Sequence, residues 1–254
     1  MKQLSRILVL AGLSVLSACA SNPQRSGDDR TAARQAAEIN TSLGQEYMSR
    51  GQNEVALEKL KKATNADPSY APAHTLLAIL YERINELELA ERHYRSALDA
   101  APRNGDVNNN YGVYLCKSGR LDAAEKHFEL AVKDPFYRTP AVAYANAGSC
   151  YLEHGILDKA ERFLRQSLEY DAEFPDALLL MANVSQELGA HLRARAFLQR
   201  FEATGSETPA SLALGIRIEN SLGNAAAADS YRQRLLRNHP GSKQAAESLG
   251  RMNS

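Results

Sequence analysis

At 254 residues with 44% hydrophobic content, the chain is long enough for one large or two ordinary globular domains. Its 30 basic residues balance 30 acidic ones, a formal net charge of zero, which excludes the broad basic field that nucleic-acid binding draws on. Local charged patches stay compatible with that balance, because net charge says nothing about distribution.

At the start of the chain, Lys2 and Arg6 precede an apolar run from Ile7 to Leu16, followed by small residues. This is the layout of an export signal over residues 1–18. The run is too short for a permanent membrane helix, which takes about 20 residues. Leu16, Ser17, Ala18 and Cys19 resemble the lipobox of bacterial lipoproteins, cleaved before the cysteine. The resemblance implies three acyl chains on Cys19, a far stronger anchor than the marginal hold of a single chain. Ala20 stands where aspartate would imply retention in the inner membrane, so the expected location is the periplasmic face of the outer membrane. Residues 19–36 are polar and charged, with Pro23 and Gly27, and are expected to form a flexible tether.

From Ala37 the sequence repeats. Counting Ala37 as offset 1, Leu43, Gly44, Tyr47, Gly51, Ala56, Leu60, Ala63 and Pro68 fall at offsets 7, 8, 11, 15, 20, 24, 27 and 32. Leu77, Ala78, Tyr81, Asn85, Ala90, Tyr94, Ala97 and Pro102 repeat them. Small residues at offsets 8, 20 and 27 let two helices approach closely, and large ones at 7, 11 and 24 fill the space beside them. Offset 15 turns the chain, and proline at 32 ends the second helix. The pattern resembles the tetratricopeptide repeat, a helix-turn-helix whose apolar face only a neighbouring repeat can bury.

Offset 15 is occupied in turn by Gly51, Asn85, Gly119, Gly155, Gly189 and Gly223, and offset 20 by Ala56, Ala90, Ala124, Ala160, Ala194 and Ala228. Both series run at intervals of 34, 34, 36, 34 and 34, which places one two-residue insertion around Pro135 to Pro140. In the sixth repeat, Leu214 and Gly215 stand one residue out of phase. The expected fold is therefore all-α: six repeats over residues 37–242 and a polar capping helix over residues 243–254, about 13 helices in a superhelix with a concave groove. Tryptophan, common at offset 4 of such repeats, gives way to Asn40, His74, Asn108, Tyr144, Leu178 and Leu212, which is expected to loosen the early repeats.

No catalytic or metal-binding spacing stands out. The six histidines never approach HExxH, and no phosphate loop, GxSxG elbow or dinucleotide fingerprint occurs. No enzyme activity, cofactor, metal or small-molecule substrate is expected. His93 and His127 share offset 23 and are expected to be solvated rim positions. With Cys19 acylated, Cys116 and Cys150 remain an even pair in an oxidising compartment. They fall on neighbouring first helices, where they form either a disulfide worth about 3–4 kcal/mol or two buried free thiols.

The runs NNNYGVYLC at Asn108 to Cys116 and DPFYRTPAVAYANAGSC at Asp134 to Cys150 resemble the PilF/PilW family of type IV pilus biogenesis lipoproteins, as does the layout of nearly the whole chain. The resemblance implies a pilotin, a lipoprotein that binds secretin subunits and promotes their outer-membrane localisation and multimerisation. In tetratricopeptide repeats the groove is lined mainly by offsets 2, 5, 9 and 12. Here these offsets include Thr41, Gln45, Met48, Thr75, Ile79, Glu82, Asn109, Val113, Ala145, Ser149 and Leu152. The lining is neutral and moderately apolar, without the Lys and Arg clamp that captures a terminal carboxylate. Repeat one, with no repeat before it, is expected to expose Thr41, Gln45 and Met48 and to make the secretin contact. The alternatives are a general periplasmic adaptor that scaffolds cell-wall hydrolases or proteases, and an enzyme built into the groove.

Overall fold

The computed structural model describes residues 23–250, with side chains within 29–249. The expected signal segment, the lipobox and Cys19 lie outside the described residues. Thirteen helices and no strand occur among the described residues. They pair as α1 (Pro23–Ser49) with α2 (Asn53–Ala66), α3 (Ala71–Arg83) with α4 (Leu87–Ala100), and α5 (Gly105–Lys117) with α6 (Leu121–Lys133). Next come α7 (Pro140–Glu153) with α8 (Leu157–Tyr170), α9 (Pro175–Glu187) with α10 (His191–Ala203), and α11 (Pro209–Ser221) with α12 (Ala225–Asn238). The last helix, α13 (Lys243–Gly250), packs on α11 and α12. Among the described residues no helix is long and apolar enough to cross a membrane.

Each hairpin is closed by the same turn. In the fourth, the Gly155 N–H donates to the Leu152 carbonyl at 3.0 Å and the Ile156 N–H to the Tyr151 carbonyl at 2.8 Å, the two bonds of a Schellman ending. This ending needs a left-handed residue, and Gly155 takes φ +71° where a side chain would be strained. In the second hairpin, Asn85 takes the same place at φ 61°. Packing follows the offsets. A Cβ on Gly148 would stand 2.6 Å from Cγ of Leu164, so the backbones of α7 and α8 close to a distance that only glycine permits against that leucine. In the sixth hairpin Gly215 meets Tyr231 instead of the residue after it, so the out-of-phase first helix is matched by a shifted contact on the second.

First helices approach one another closely along the chain and each second helix packs on the following first helix, whereas successive second helices stand farther apart and meet only through long side chains such as Glu125 with Arg162. The closer spacing of the first helices bends the stack toward them and makes them its inner layer.

Three expectations change. The segment of residues 23–36, expected as a tether, is helical, because α1 begins at Pro23. Ala32, Ala33, Ala36 and Ala37 favour helix, and Arg34 fixes the extension by pairing with Asp67 at 2.7 Å and lying over the Tyr70 ring. Second, offset 4 does not loosen the early repeats. Asn108 is fully buried, and its amide donates to the carbonyls of Pro102 at 3.0 Å and Asn104 at 2.9 Å while its oxygen meets His127 Nδ1 at 2.9 Å.

Third, the histidines at offset 23 are half-buried rather than solvated. His93 stacks on Tyr81 and lies 3.0 Å, Nδ1 to Nδ1, from His74, whose Nε2 donates to the Pro68 carbonyl. Burial, then the neighbouring His74, Arg92 and Lys61, pushes the His93 pKa down to about 4. The second helix turns offset 23 back onto its own first helix, where His93 meets His74 and Tyr81 and His127 meets Asn108 and Tyr111.

The insertion between repeats three and four is an ordered loop. The Asp134 carboxylate accepts the Gly105 N–H at 2.8 Å and the Phe136 N–H at 2.9 Å, and Tyr137 covers Gly105 so closely that a Cβ there would be 2.5 Å away. At the other ends of the same first helices, Cys116 of α5 and Cys150 of α7 are bonded, with S–S 2.10 Å and Cα–Cα 5.8 Å. The bridge joins two first helices of the inner layer.

Candidate partner-binding groove

The inner layer carries a groove of about 570 Å³ between α3 and α5. Its apolar lining is Ile79 of α3, Val113 and Tyr114 of α5, and Leu87 and Tyr94 of α4. Leu87 is 46% exposed although it is apolar. Glu82 stands on the wall, where it accepts the Tyr94 hydroxyl at 2.5 Å and the Lys117 ammonium at 3.1 Å. Burial and the facing Glu82 carboxylate push the Tyr94 phenol up, so it stays a neutral donor to that carboxylate. The Tyr114 hydroxyl donates to the Leu87 carbonyl at 3.1 Å, and burial, then Glu91, raises its pKa also. Two fixed phenols thus set the shape of the floor, while Ile79, Leu87 and Val113 supply apolar surface that solvent still reaches.

Two smaller depressions continue along the inner layer. One is lined by Val142, Ala145, Asn146 and Ser149 of α7 and Leu179 and Leu180 of α9. The next holds Leu152, Leu157, Asn183 and Glu187. Away from the groove, ion pairs tie successive repeats. Glu91 meets Arg120 at 2.9 Å, Glu125 meets Lys159 and Arg162 at 2.8 Å each, and Glu161 meets Arg193 at 3.0 Å. Burial raises the pKa of Glu125, but the bonds from Lys159, Tyr151 and Arg162 outweigh it and hold the carboxyl below the usual range. In the fifth repeat the sign reverses: Arg195 grips the buried Glu219 of α11 with two bonds, at 2.7 and 2.5 Å. The charged residues that line the groove itself are also paired, Glu82 with Tyr94 and Lys117 and Arg83 with the Met48 carbonyl at 2.7 Å, so its wall offers few free charges to a partner.

Ile79, Glu82 and Val113 meet in the main groove, Ala145 and Ser149 share the second depression, and Leu152 lies in the third. Gln45 is exposed on α1. The other expected lining residues are structural. Thr41 and Thr75 are buried, with their hydroxyls bonded to the Ala37 and Ala71 carbonyls at 2.7 and 3.1 Å. Asn109 is buried too and accepts the Asn146 amide at 3.0 Å, which links α5 to α7. Met48 is 6% exposed and packs with Ala56 and Leu77, under α3, whose Arg83 donates to the Met48 carbonyl at 2.7 Å. The expectation that repeat one exposes Thr41 and Met48 is therefore corrected: α3 covers that side of α1.

What repeat one leaves open is its outer edge. Ile39 and Leu43 are 55% and 41% exposed, whereas the same offsets in the next repeat, Ala73 and Leu77, are fully buried. Sequence reasoning missed Ile39, Leu43 and Leu87. The first two were legible as positions whose covering repeat is absent.

Only one group of three metal-ligating side chains is brought together among the described residues: Cys116, Cys150 and His154, with ligand atoms within 4.8 Å of one another. As a disulfide, the two sulfurs are not thiolate ligands.

The sequence matches the TPR repeat over residues 44–85 and the tetratricopeptide repeat over residues 76–140 and 141–174. It is 33% identical over 221 residues to the type IV pilus assembly protein PilF of Pseudomonas aeruginosa, covering 87% of this chain and 86% of that protein. An uncharacterized protein of Haemophilus influenzae is 30% identical over 172 residues, 68% of this chain and 92% of the relative. The fold superposes on the crystal structure of PilW, a widely conserved type IV pilus biogenesis factor, with a TM-score of 0.77 at 30% identity, covering 85% of this chain and 99% of PilW. The Pseudomonas aeruginosa PilF structure gives 0.73 at 31% identity, over 87% of this chain and 99% of that one. A relationship of this identity over nearly the full length of both partners shows that the chain belongs to the PilF/PilW family of tetratricopeptide-repeat proteins of type IV pilus biogenesis.

Proposed function

We propose that the protein is a lipid-anchored factor at the periplasmic face of the outer membrane that binds subunits of the type IV pilus secretin and promotes their localisation and multimerisation. The observation that carries this reading is the inner groove, with a solvent-reachable apolar floor of Ile79, Leu87 and Val113, in a chain of this family. Its walls are already paired, so the gain on binding comes from apolar area, at about 25 cal/mol per Å². A partner side chain that buries about 100 Å² contributes about 2.5 kcal/mol. The anchor is assigned to Cys19 on the Leu16-Ser17-Ala18-Cys19 sequence. It confines the groove to the membrane where a secretin ring must form, which raises the effective concentration of the complex there.

Deletion of the gene tests the reading. The expected result is loss of heat-resistant, high-mass secretin multimers and of surface pili, restored by the intact gene. Normal multimers in the deletion strain would overturn the proposal.

A further inference from the structure

Cys116, Cys150 and His154 form a cluster that the binding function does not use. Cys150 and His154 lie one turn apart, at the end of α7 and the residue after it, and Cys116 reaches them from α5. Both cysteines are buried and His154 is exposed, so the cluster sits at the edge of the inner layer with one side open to solvent. The His154 Nδ1–H donates to the Cys150 carbonyl at 2.9 Å. That bond fixes one tautomer and leaves the lone pair on Nε2, the state in which imidazole binds metals.

We propose that reduction of the Cys116–Cys150 disulfide converts this cluster into a binding site for a divalent zinc-class cation, with two thiolates and one imidazole as protein ligands and solvent in the fourth position. Zinc–thiolate bonds of about 2.3 Å and zinc–imidazole bonds of about 2.0 Å place the ligand atoms of a tetrahedral site somewhat under 4 Å apart. The three ligand atoms already fall within 4.8 Å, and the two helices are held at Cα–Cα 5.8 Å. With the disulfide opened, small side-chain adjustments of the two thiols and the exposed imidazole complete the site.

The chemistry balances with a dithiol as reductant. Its two thiols pass two electrons and two protons to the disulfide, giving Cys116 and Cys150 as thiols and the reductant as its own disulfide. The cation then displaces one proton from each thiol into solvent. The site is thus exclusive with the disulfide: it belongs to the chain before oxidation or after reduction, and it holds α5 against α7 while the covalent bridge is absent.

The test uses protein reduced with dithiol, freed of reductant without air, and confirmed as folded by circular dichroism. Cadmium is titrated in while the thiolate charge-transfer absorption is followed, and zinc is then added in competition. The expected result is saturation at about one cation per chain, a band about halved in Cys150→Ala, and His154→Ala weakening zinc binding about tenfold or more. Zinc should also slow re-formation of the disulfide on exposure to air. Absence of a saturable band in folded, reduced protein overturns the proposal. So does equal binding by the disulfide-bonded protein, or affinity unchanged by His154→Ala.

Discussion

Removing the Cys116–Cys150 bridge unties the first helix of the third repeat from that of the fourth. The two cysteines are 34 residues apart, and closing a loop of that length removes about 13 cal/mol/K from the unfolded chain, about 3.8 kcal/mol at 25 °C. If all the helices over residues 23–250 unfold together, an unfolding entropy of about 2.1 cal/mol/K per residue turns this into a fall in Tm of about 8 °C. If repeats three and four melt as a smaller unit, the fall is larger and appears as a separate early transition. Two arms measure it by thermal and urea unfolding at constant ionic strength: wild type with and without dithiol in metal-free buffer, and Cys116→Ala with Cys150→Ala. Helical content before melting should be unchanged in both, because α5 and α7 keep their other contacts. Equal midpoints for oxidised and reduced wild type would show that the bridge adds no stability.

Acidification should destabilise the second repeat ahead of the carboxylates. His93 takes up a proton only near pH 4 in the folded protein but near its ordinary value of 6.5 when unfolded. The unfolded state therefore binds more protons between those values, and stability falls as pH drops from about 6.5 to about 4, by about 3 kcal/mol at most, and by less than that because solvent screens the half-exposed ring. His93→Gln should flatten that window in urea midpoints taken from pH 7 to pH 4.5; an unchanged slope removes His93 as its source. Gly155→Ala places a side chain at φ +71° with no atom within 4 Å, so its cost is purely backbone, about 1–2 kcal/mol in urea unfolding, and no loss would contradict the turn geometry. Cys19→Ala should shift the protein from the membrane to the soluble periplasmic fraction while circular dichroism is unchanged. Full membrane retention sinks the anchor assignment.

The repeat was legible because helical packing fixes its spacing. A glycine such as Gly148 and its leucine Leu164 recur as a pair when two helices must touch, whatever lies around them. The start of α1 was not legible. Polar composition over residues 23–36 reads as disorder, while the contact that orders it, Arg34 on Asp67 and Tyr70, lies a full repeat away. The groove was half legible. Offsets identify inward-facing positions, which found Ile79 and Val113. They do not say which of these a neighbouring helix covers, and Thr41 and Met48 lie under α3 for that reason. The histidines were misread because His93 and His127 meet their partners, His74 and Asn108, on the other helix of the hairpin.

On the function proposed above, the inner groove between α3 and α5 holds the secretin. This is tested most directly by capture of secretin from detergent-solubilised membranes on immobilised protein. Wild type is compared with Val113→Glu and Ile79→Glu, both half-buried positions whose substitution places a charge on the apolar floor. Wild type should enrich secretin, and both variants, folded by circular dichroism, should lose it about tenfold or more, since about 1.4 kcal/mol of lost apolar burial suffices for that factor. Undiminished secretin capture by both folded variants would contradict that placement.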